Sequence, residues 1–239
     1  MPKLSVRTIS PWRVGALLGV VALLAACSGS VLGPDRGDGG TPFYYYEHQP
    51  IYLKVDPAGM VVLPVDALSS DSAAVRAAVQ SRLSAHGLEI AAMQPLGGPP
   101  FNWLVQLAGT VDSDAAAAAR AELLMTPEFR AVIPTYRTLE SDLPLYVLNR
   151  AVAKFKDGVS LTQIVNLVGS LGAQVVAVQD WGPAGAWYII EPAAGSHAHI
   201  LDIANAIDES SIALWGTPDM VDPNMRPMSL VTREQSDRY

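Results

Sequence analysis

The chain is short of the residues from which most catalytic and metal sites are built. Cys27 is the only cysteine in 239 residues, so no disulfide can form within the chain. Histidine occurs four times, as His48, His86, His197 and His199. His86 directly precedes Gly87 at an expected helix end, where a cation suits the dipole. His197 and His199 are two residues apart, and near a helix start such a pair points to different faces. They read as surface positions, so no metal or other cofactor is expected. There is no Gly-x-Ser-x-Gly elbow and no phosphate-binding loop. No histidine is marked as the base of a Ser-His-Asp triad. Asp208-Glu209 reads as a solvated helix end. The chain is therefore expected not to be an enzyme.

Basic residues are also scarce. Lys and Arg number 16 against 23 Asp and Glu, a net charge of -7. Lys3, Arg7 and Arg13 precede Cys27 with no acidic residue among them; without them the balance is 13 against 23, or -10. An acidic surface argues against nucleic acid or anionic lipid headgroups as partners, since both select for Lys and Arg. Half of the residues are apolar, which favours a globular protein over a disordered one. The length fits one or two domains.

Val14 to Ala26 is one continuous apolar run behind three cations. Its length suits a signal-peptide core and falls short of the roughly 20 residues of a transmembrane helix. It ends in Leu24-Ala25-Ala26-Cys27, which resembles the bacterial lipobox. The resemblance implies cleavage before Cys27 and a lipid on its sulfur, hence a membrane partner. Ser28 follows instead of Asp, so it also implies an outer-membrane lipoprotein facing the periplasm or the cell surface. The other reading is an ordinary secretory peptide with an incidental cysteine. Ser28 to Thr41, rich in Gly, Ser and Asp, reads as a flexible tether. Phe43-Tyr44-Tyr45-Tyr46 follows, as an edge strand or arm packed on the next domain, or else as a binding patch.

The rest reads as α+β. Strands are expected at Ile51–Val55 and Met60–Val65, paired as a hairpin across the turn-forming Asp56-Pro57-Ala58-Gly59. A helix over Ser72–His86 carries Val75, Ala78, Val79 and Leu83 on one face. Strands at Leu88–Met93 and Asn102–Leu107, a helix from Asp112 or Ser113 to Met125 and a strand at Phe129–Pro134 complete a first unit. The second unit is better patterned. Ala151–Lys156 is a strand. Ser160-x-x-Gln163 is a capping-box pattern, and Ile164, Leu167, Val168 and Leu171 form a helical stripe ended by Gly172. Strands follow at Gln174–Val178 and Trp187–Glu191. Ser196 is expected to cap a helix with the stripe Ile200, Ile203, Ala204 and Ile207. Ile212–Trp215 is the last strand, ended by Gly216-Thr217-Pro218-Asp219. Leu83–Gln94 aligns on Val168–Gln179 without a gap, with Gly87 on Gly172 and Ile90 on Val175, and Trp103 falls close to Trp187.

Each unit has the order βαββαβ. The expected fold is two tandem ferredoxin-like modules, each an antiparallel sheet with helices on one face. The segments are 1–26 signal peptide, 27–42 tether, 43–140 first module, 141–222 second module and 223–239 polar tail.

Lys154-Phe155-Lys156-Asp157-Gly158-Val159-Ser160, then Leu171-Gly172-Ala173, Ile203-Ala204-Asn205 and Trp215-Gly216-Thr217-Pro218-Asp219 resemble the fervidolysin-type N-terminal prodomains of secreted bacterial subtilisin-like proteases. The resemblance covers Arg150 to Asp219, and the first module shares it more weakly. It implies a non-catalytic module that binds a subtilisin-like protease, helping it fold or inhibiting it. The residues placed at the partner are then Trp187, Ile189, Trp215, Gly216, Thr217, Pro218 and Asp219. The protease domain is missing from this sequence: Met220 to Tyr239 is too short to form one. The chain would then act on a separate protease. Two alternatives are an envelope lipoprotein that uses the fold as a structural or interaction module, and a truncated protease precursor.

Overall fold

The computed structural model describes residues 41–96, 101–196 and 198–221. The lipobox with Cys27, the tether up to residue 40, His197 and the polar tail lie outside the described residues. Among those described are nine strands and five helices in a curled antiparallel sheet.

The elements of the N-terminal half are β1 (Phe43–Tyr46), β2 (Gln49–Pro64), α1 (Asp66–Ser69), α2 (Ser72–Ala85), β3 (Ile90–Leu96), β4 (Asn102–Leu107), α3 (Ser113–Leu124) and β5 (Phe129–Thr138). Those of the C-terminal half are β6 (Pro144–Phe155), α4 (Leu161–Ser170), β7 (Ala173–Asp180), β8 (Ala186–Pro192), α5 (Ile200–Asp208) and β9 (Ala213–Val221). The sheet runs β3-β4-β2-β5-β6-β8-β7, with β1 on the start of β2 and β9 on β6. β5 pairs with β6 only at Leu145 and Pro144, and β9 takes over the same side of β6 from Tyr146 onward.

Ile51–Val55 and Met60–Val65 do not form a hairpin. They belong to the single strand β2, which stays on β5 throughout, and Asp56-Pro57-Ala58-Gly59 becomes a register shift between Asp56 and Met60. Asp56 Oδ1 accepts from the Ala58 N–H (3.0 Å), the local bond expected of a turn, but here it bends a strand without reversing it. Gly59 fits because a Cβ would lie 2.6 Å from Thr135 Oγ1 on β5.

Helix signals were read more accurately. Asp71 caps α2 through Ala73 and Ala74, Asp112 caps α3 through Ala115, and Ser160 and Gln163 form the full capping box on α4. The cap of α5 differs from expectation. Ser196 Oγ accepts from the Ala198 N–H in the preceding turn, and His199 is the N-cap residue.

The direction of the crossovers fixes the layers. β2 and β6 are both antiparallel to β5, so they run the same way. From β2 the chain crosses to β3 at one end of the sheet, and from β6 it crosses to β7 at the other. Right-handed crossovers from parallel starts in opposite directions put α2 and α3 on one face and α4 and α5 on the other. Each half therefore carries its helix pair on one face of its own strands, and the two faces are opposite. The two cores agree with this. Met60, Val62, Val105 and Leu107 join Val75, Val79, Ala119 and Leu123 of α2 and α3. The alternate residues Val61, Leu104 and Ile133 join the core containing Ile164, Ile200, Ile203 and Ile207 of α4 and α5. The N-terminal half is thus buried on both faces of its sheet at Met60–Val62.

The aromatic run is the arm β1. Tyr44 enters the core shared with α5, and the Phe43 carbonyl accepts from buried Asn205 Nδ2 (2.9 Å). Glu47 and His48 turn the arm with φ of 51° and 60°, the type I′ geometry that favours glycine. Contacts to the end of α5 offset that strain: Tyr45 Oη donates to Glu209 (3.0 Å), and His48 Nδ1 lies 3.0 Å from Asp208 Oδ2.

Candidate functional site

The one sheet face without helices in the C-terminal half is the candidate site. Alternation decides which residues reach it. Along β6, Ala151, Ala153 and Phe155 are buried toward the helices, while Val152 and Lys154 are half-buried on the other side. Across the register, Val152 faces Ile189 and Thr217, and Lys154 faces Trp215. Trp187, two residues before Ile189, shares that face, and Gln179 and Ala177 extend it onto β7. Ile189, Trp187, Trp215 and Thr217 are all half-buried. No helix among the described residues covers this side.

Three of the chain's five tryptophans meet here. Trp187 stands edge-on to Trp215, with centroids 5.2 Å apart and planes at 89°, and Trp181 leans on Trp187 at 5.4 Å. Trp181 sits in the loop after β7, positioned by the turn in which Asp180 Oδ1 accepts from the Gly182 N–H (2.9 Å). The Trp187 indole nitrogen is shielded from water and finds no acceptor among the described residues. The stem of Lys154 passes Gly185, where a Cβ would lie 3.5 Å from Lys154 Cε. The face is thus an aromatic platform with one cation at its centre. At its margin the Arg150 guanidinium pairs with the Asp219 carboxylate.

The remaining predicted contact residues point elsewhere. Gly216 and Pro218 are buried, opposite Ala153 and Ala151 on the helical side. A Cβ at Gly216 would lie 2.8 Å from the Ala204 carbonyl of α5, so glycine is what lets strand and helix approach. The Gly216 N–H donates to Asp208 Oδ1 (3.0 Å). Asp208 is therefore a buried structural acceptor between β9 and the β1 arm, not the solvated terminus that its position suggested. Gly216-Thr217-Pro218-Asp219 does not end the last strand either. β9 continues to Val221 and stays paired with β6.

His199 was misplaced by sequence reasoning as a surface residue. Its Nδ1 accepts from the Leu201 N–H (3.2 Å), which puts the proton on Nε2. That nitrogen lies 3.5 Å from Tyr136 Oη of β5 and so donates to it. Desolvation lowers the His199 pKa from 6.5 to about 4. Part of the residue's surface stays open at the helix start, but the ring is enclosed at the seam between the two halves. No signal in the sequence marked this, because the partner Tyr136 is 63 residues away. Among the described residues there is no group of three or more His, Cys, Asp or Glu placed to hold a metal ion.

No family profile and no curated protein matches the chain. The crystal structure of protein BT0572 from Bacteroides thetaiotaomicron is similar over 68% of this chain and 90% of that one, at 13% identity and a TM-score of 0.23.

Proposed function

We propose that the chain is a lipid-anchored, non-catalytic binding protein that engages a subtilisin-like protease in trans, as an inhibitor or folding helper. The observation that carries this reading is the helix-free face bearing Trp187, Ile189, Trp215 and Thr217 around Lys154. An aromatic surface left half-exposed suits a protein partner, since Trp anchors dominate such contacts. In this reading each half is a ferredoxin-like module. The support is that strand order within β2–β5 (β3-β4-β2-β5) and within β6–β9 (β7-β8-β6-β9) is the same. Cys27 would carry the lipid, and the tether would hold the folded part off the outer membrane.

The test is titration of a secreted subtilisin-like protease with the full chain. Stoichiometric loss of activity, or a higher refolding yield of the denatured protease, is expected at micromolar protein. Trp215→Ala should weaken either effect at least tenfold. Neither effect at that concentration would sink the proposal. A second reading, an envelope interaction module with some other protein partner, is favoured by one observation. Gly216 to Val221 are committed to β9, which removes them from any extended segment free to enter a protease cleft. A pull-down that returns envelope proteins and no protease would select it.

A further inference from the structure

The molecule has two outer edges that correspond in the internal repeat, β3 in the N-terminal half and β7 in the C-terminal half, and only one is protected. Each pairs on one side, β3 with β4 and β7 with β8, and each carries a register shift, between Ile90 and Ala92 and between Val175 and Ala177. The β3 edge is closed chemically. Pro95 has no N–H to offer. The Ile90 N–H donates to Gln80 Oε1 (3.0 Å), and the Ile90 carbonyl accepts from Arg76 (3.3 Å). The β7 edge has none of these devices. Ala173 to Gln179 contains no proline and no charge. No side chain among the described residues bonds to its backbone.

Exposed apolar side chains gather along the same edge. Val176 and Val178 of β7 are 45% and 52% exposed, and Leu161 and Val165 of α4 are 59% and 50% exposed. Leu161 and Val165 lie on the flank of α4 away from Leu167, which packs into the core. Since α4 packs on β7 and α5 lies on its inner side, that flank overhangs the outer edge. Val178 faces the same side, because it pairs opposite Tyr188, which packs on buried Phe155. These four side chains expose on the order of 350 Å2, within the range of the largest apolar patch on a typical monomer.

We propose that this edge joins a second copy of the chain, β7 against β7, in an antiparallel twofold pairing. Gln174-Val175-Val176-Ala177-Val178-Gln179 reads nearly the same in both directions. An antiparallel twofold pairing therefore sets Gln174 against Gln179 of the second copy and Val175 against Val178 of the second copy. A chain of net charge -7 repels its copies over most of its surface, and this uncharged edge is where they meet without like charges opposed. Two such patches with two strand edges approach the roughly 1,200 Å2 at which specific interfaces begin. The pairing would leave the tryptophan face free, so it stands apart from the function proposed above.

Single-cysteine crosslinking of the full chain in detergent tests it. Val176→Cys, one residue from its own copy in this register, should give a covalent dimer on mild oxidation, several-fold above the wild-type background, whereas Val178→Cys, three residues from its own copy, should give little. Met125→Cys, an exposed position after α3, should give none. Val165→Lys added to Val176→Cys should abolish the dimer band, with the circular dichroism spectrum unchanged. The absence of a dimer band above background, equal crosslinking at Met125, or a band that persists with Val165→Lys would each overturn the proposal. So would crosslinking only to another protein.

Discussion

His199 makes the fold sensitive to mild acid, in a window that carboxylates do not share. The ring is neutral in the folded chain, with Nδ1 occupied by the Leu201 N–H and Nε2 donating to Tyr136. Protonation would place a second N–H against the Leu201 donor. Burial lowers the folded pKa to about 4 from the ordinary 6.5. A depressed histidine contributes its full stability above the unfolded pKa, near 6.5, and loses it as the pH falls toward the folded value. The gap is equivalent to ~3 kcal/mol. The residue retains some open surface, so a loss of about 1–3 kcal/mol between pH 7 and pH 4.5 is expected. Urea unfolding of the full chain at half-unit pH steps measures this as a falling midpoint with constant slope. His199→Asn keeps a side-chain acceptor for the helix start and removes the titration. That variant is less stable at pH 7 but should show a nearly flat midpoint between pH 6.5 and 4.5. Equal pH dependence in the two proteins would refute the reasoning, since the loss would then belong to other groups.

Three further predictions concern packing and caps. Gly216→Ala pushes β9 off α5 at the Ala204 carbonyl and should cost about 1–3 kcal/mol, read by thermal unfolding. Ile207→Ala opens a cavity at a fully buried position in the shared core and should cost about 2–5 kcal/mol by urea titration. Ser160→Ala removes the hydroxyl that accepts from the Gln163 N–H, leaving only the backbone half of the capping box on α4, and should cost about 1 kcal/mol, with Ser160→Asp recovering most of it.

The legible parts of the sequence were those governed by nearest neighbours along the chain. The caps at Asp71, Asp112 and Ser160 and the stripe Ile200, Ile203, Ala204 and Ile207 depend on spacings of three or four residues. They could be read directly, except that the sequence left the α2 cap between Asp71 and Ser72 and the α3 cap between Asp112 and Ser113. The strand ends could not. Pro57 and Gly59 are strong turn formers, yet β5 holds β2 straight past them, because nine paired positions outweigh local turn chemistry. Gly216 and Pro218 likewise read as an end until β6 is known to pair beyond them. On the candidate face, Trp187, Ile189, Trp215 and Thr217 came from the family resemblance, which named Gly216 and Pro218 with them; strand alternation is what separates the two sets. Lys154 at their centre was missed as a site residue, because only the register with Trp215 brings it there.

The direction of the crossovers accounts for which face stayed open. Two βαββαβ halves joined where the start of β6 meets β5 put their helix pairs on opposite faces. Each half then has one bare face, but the two are not equivalent. The arm β1 and helix α5 lie on the side where the N-terminal half is bare, and they tie down through Asn205, Asp208 and the His199–Tyr136 contact. That covers Val61, Leu104 and Ile133. Nothing comparable among the described residues covers Val152, Trp187, Ile189 and Trp215. A chain with one bare face closed internally would gain from closing the second unless exposure served a purpose, because each buried tryptophan contributes a few kcal/mol. The aromatic platform is therefore where the partner proposed above would sit. Substituting Trp215 and Trp187 together by Thr should consequently cost the fold less than Ile207→Ala, read by urea unfolding, while abolishing the proposed inhibition or refolding of the protease.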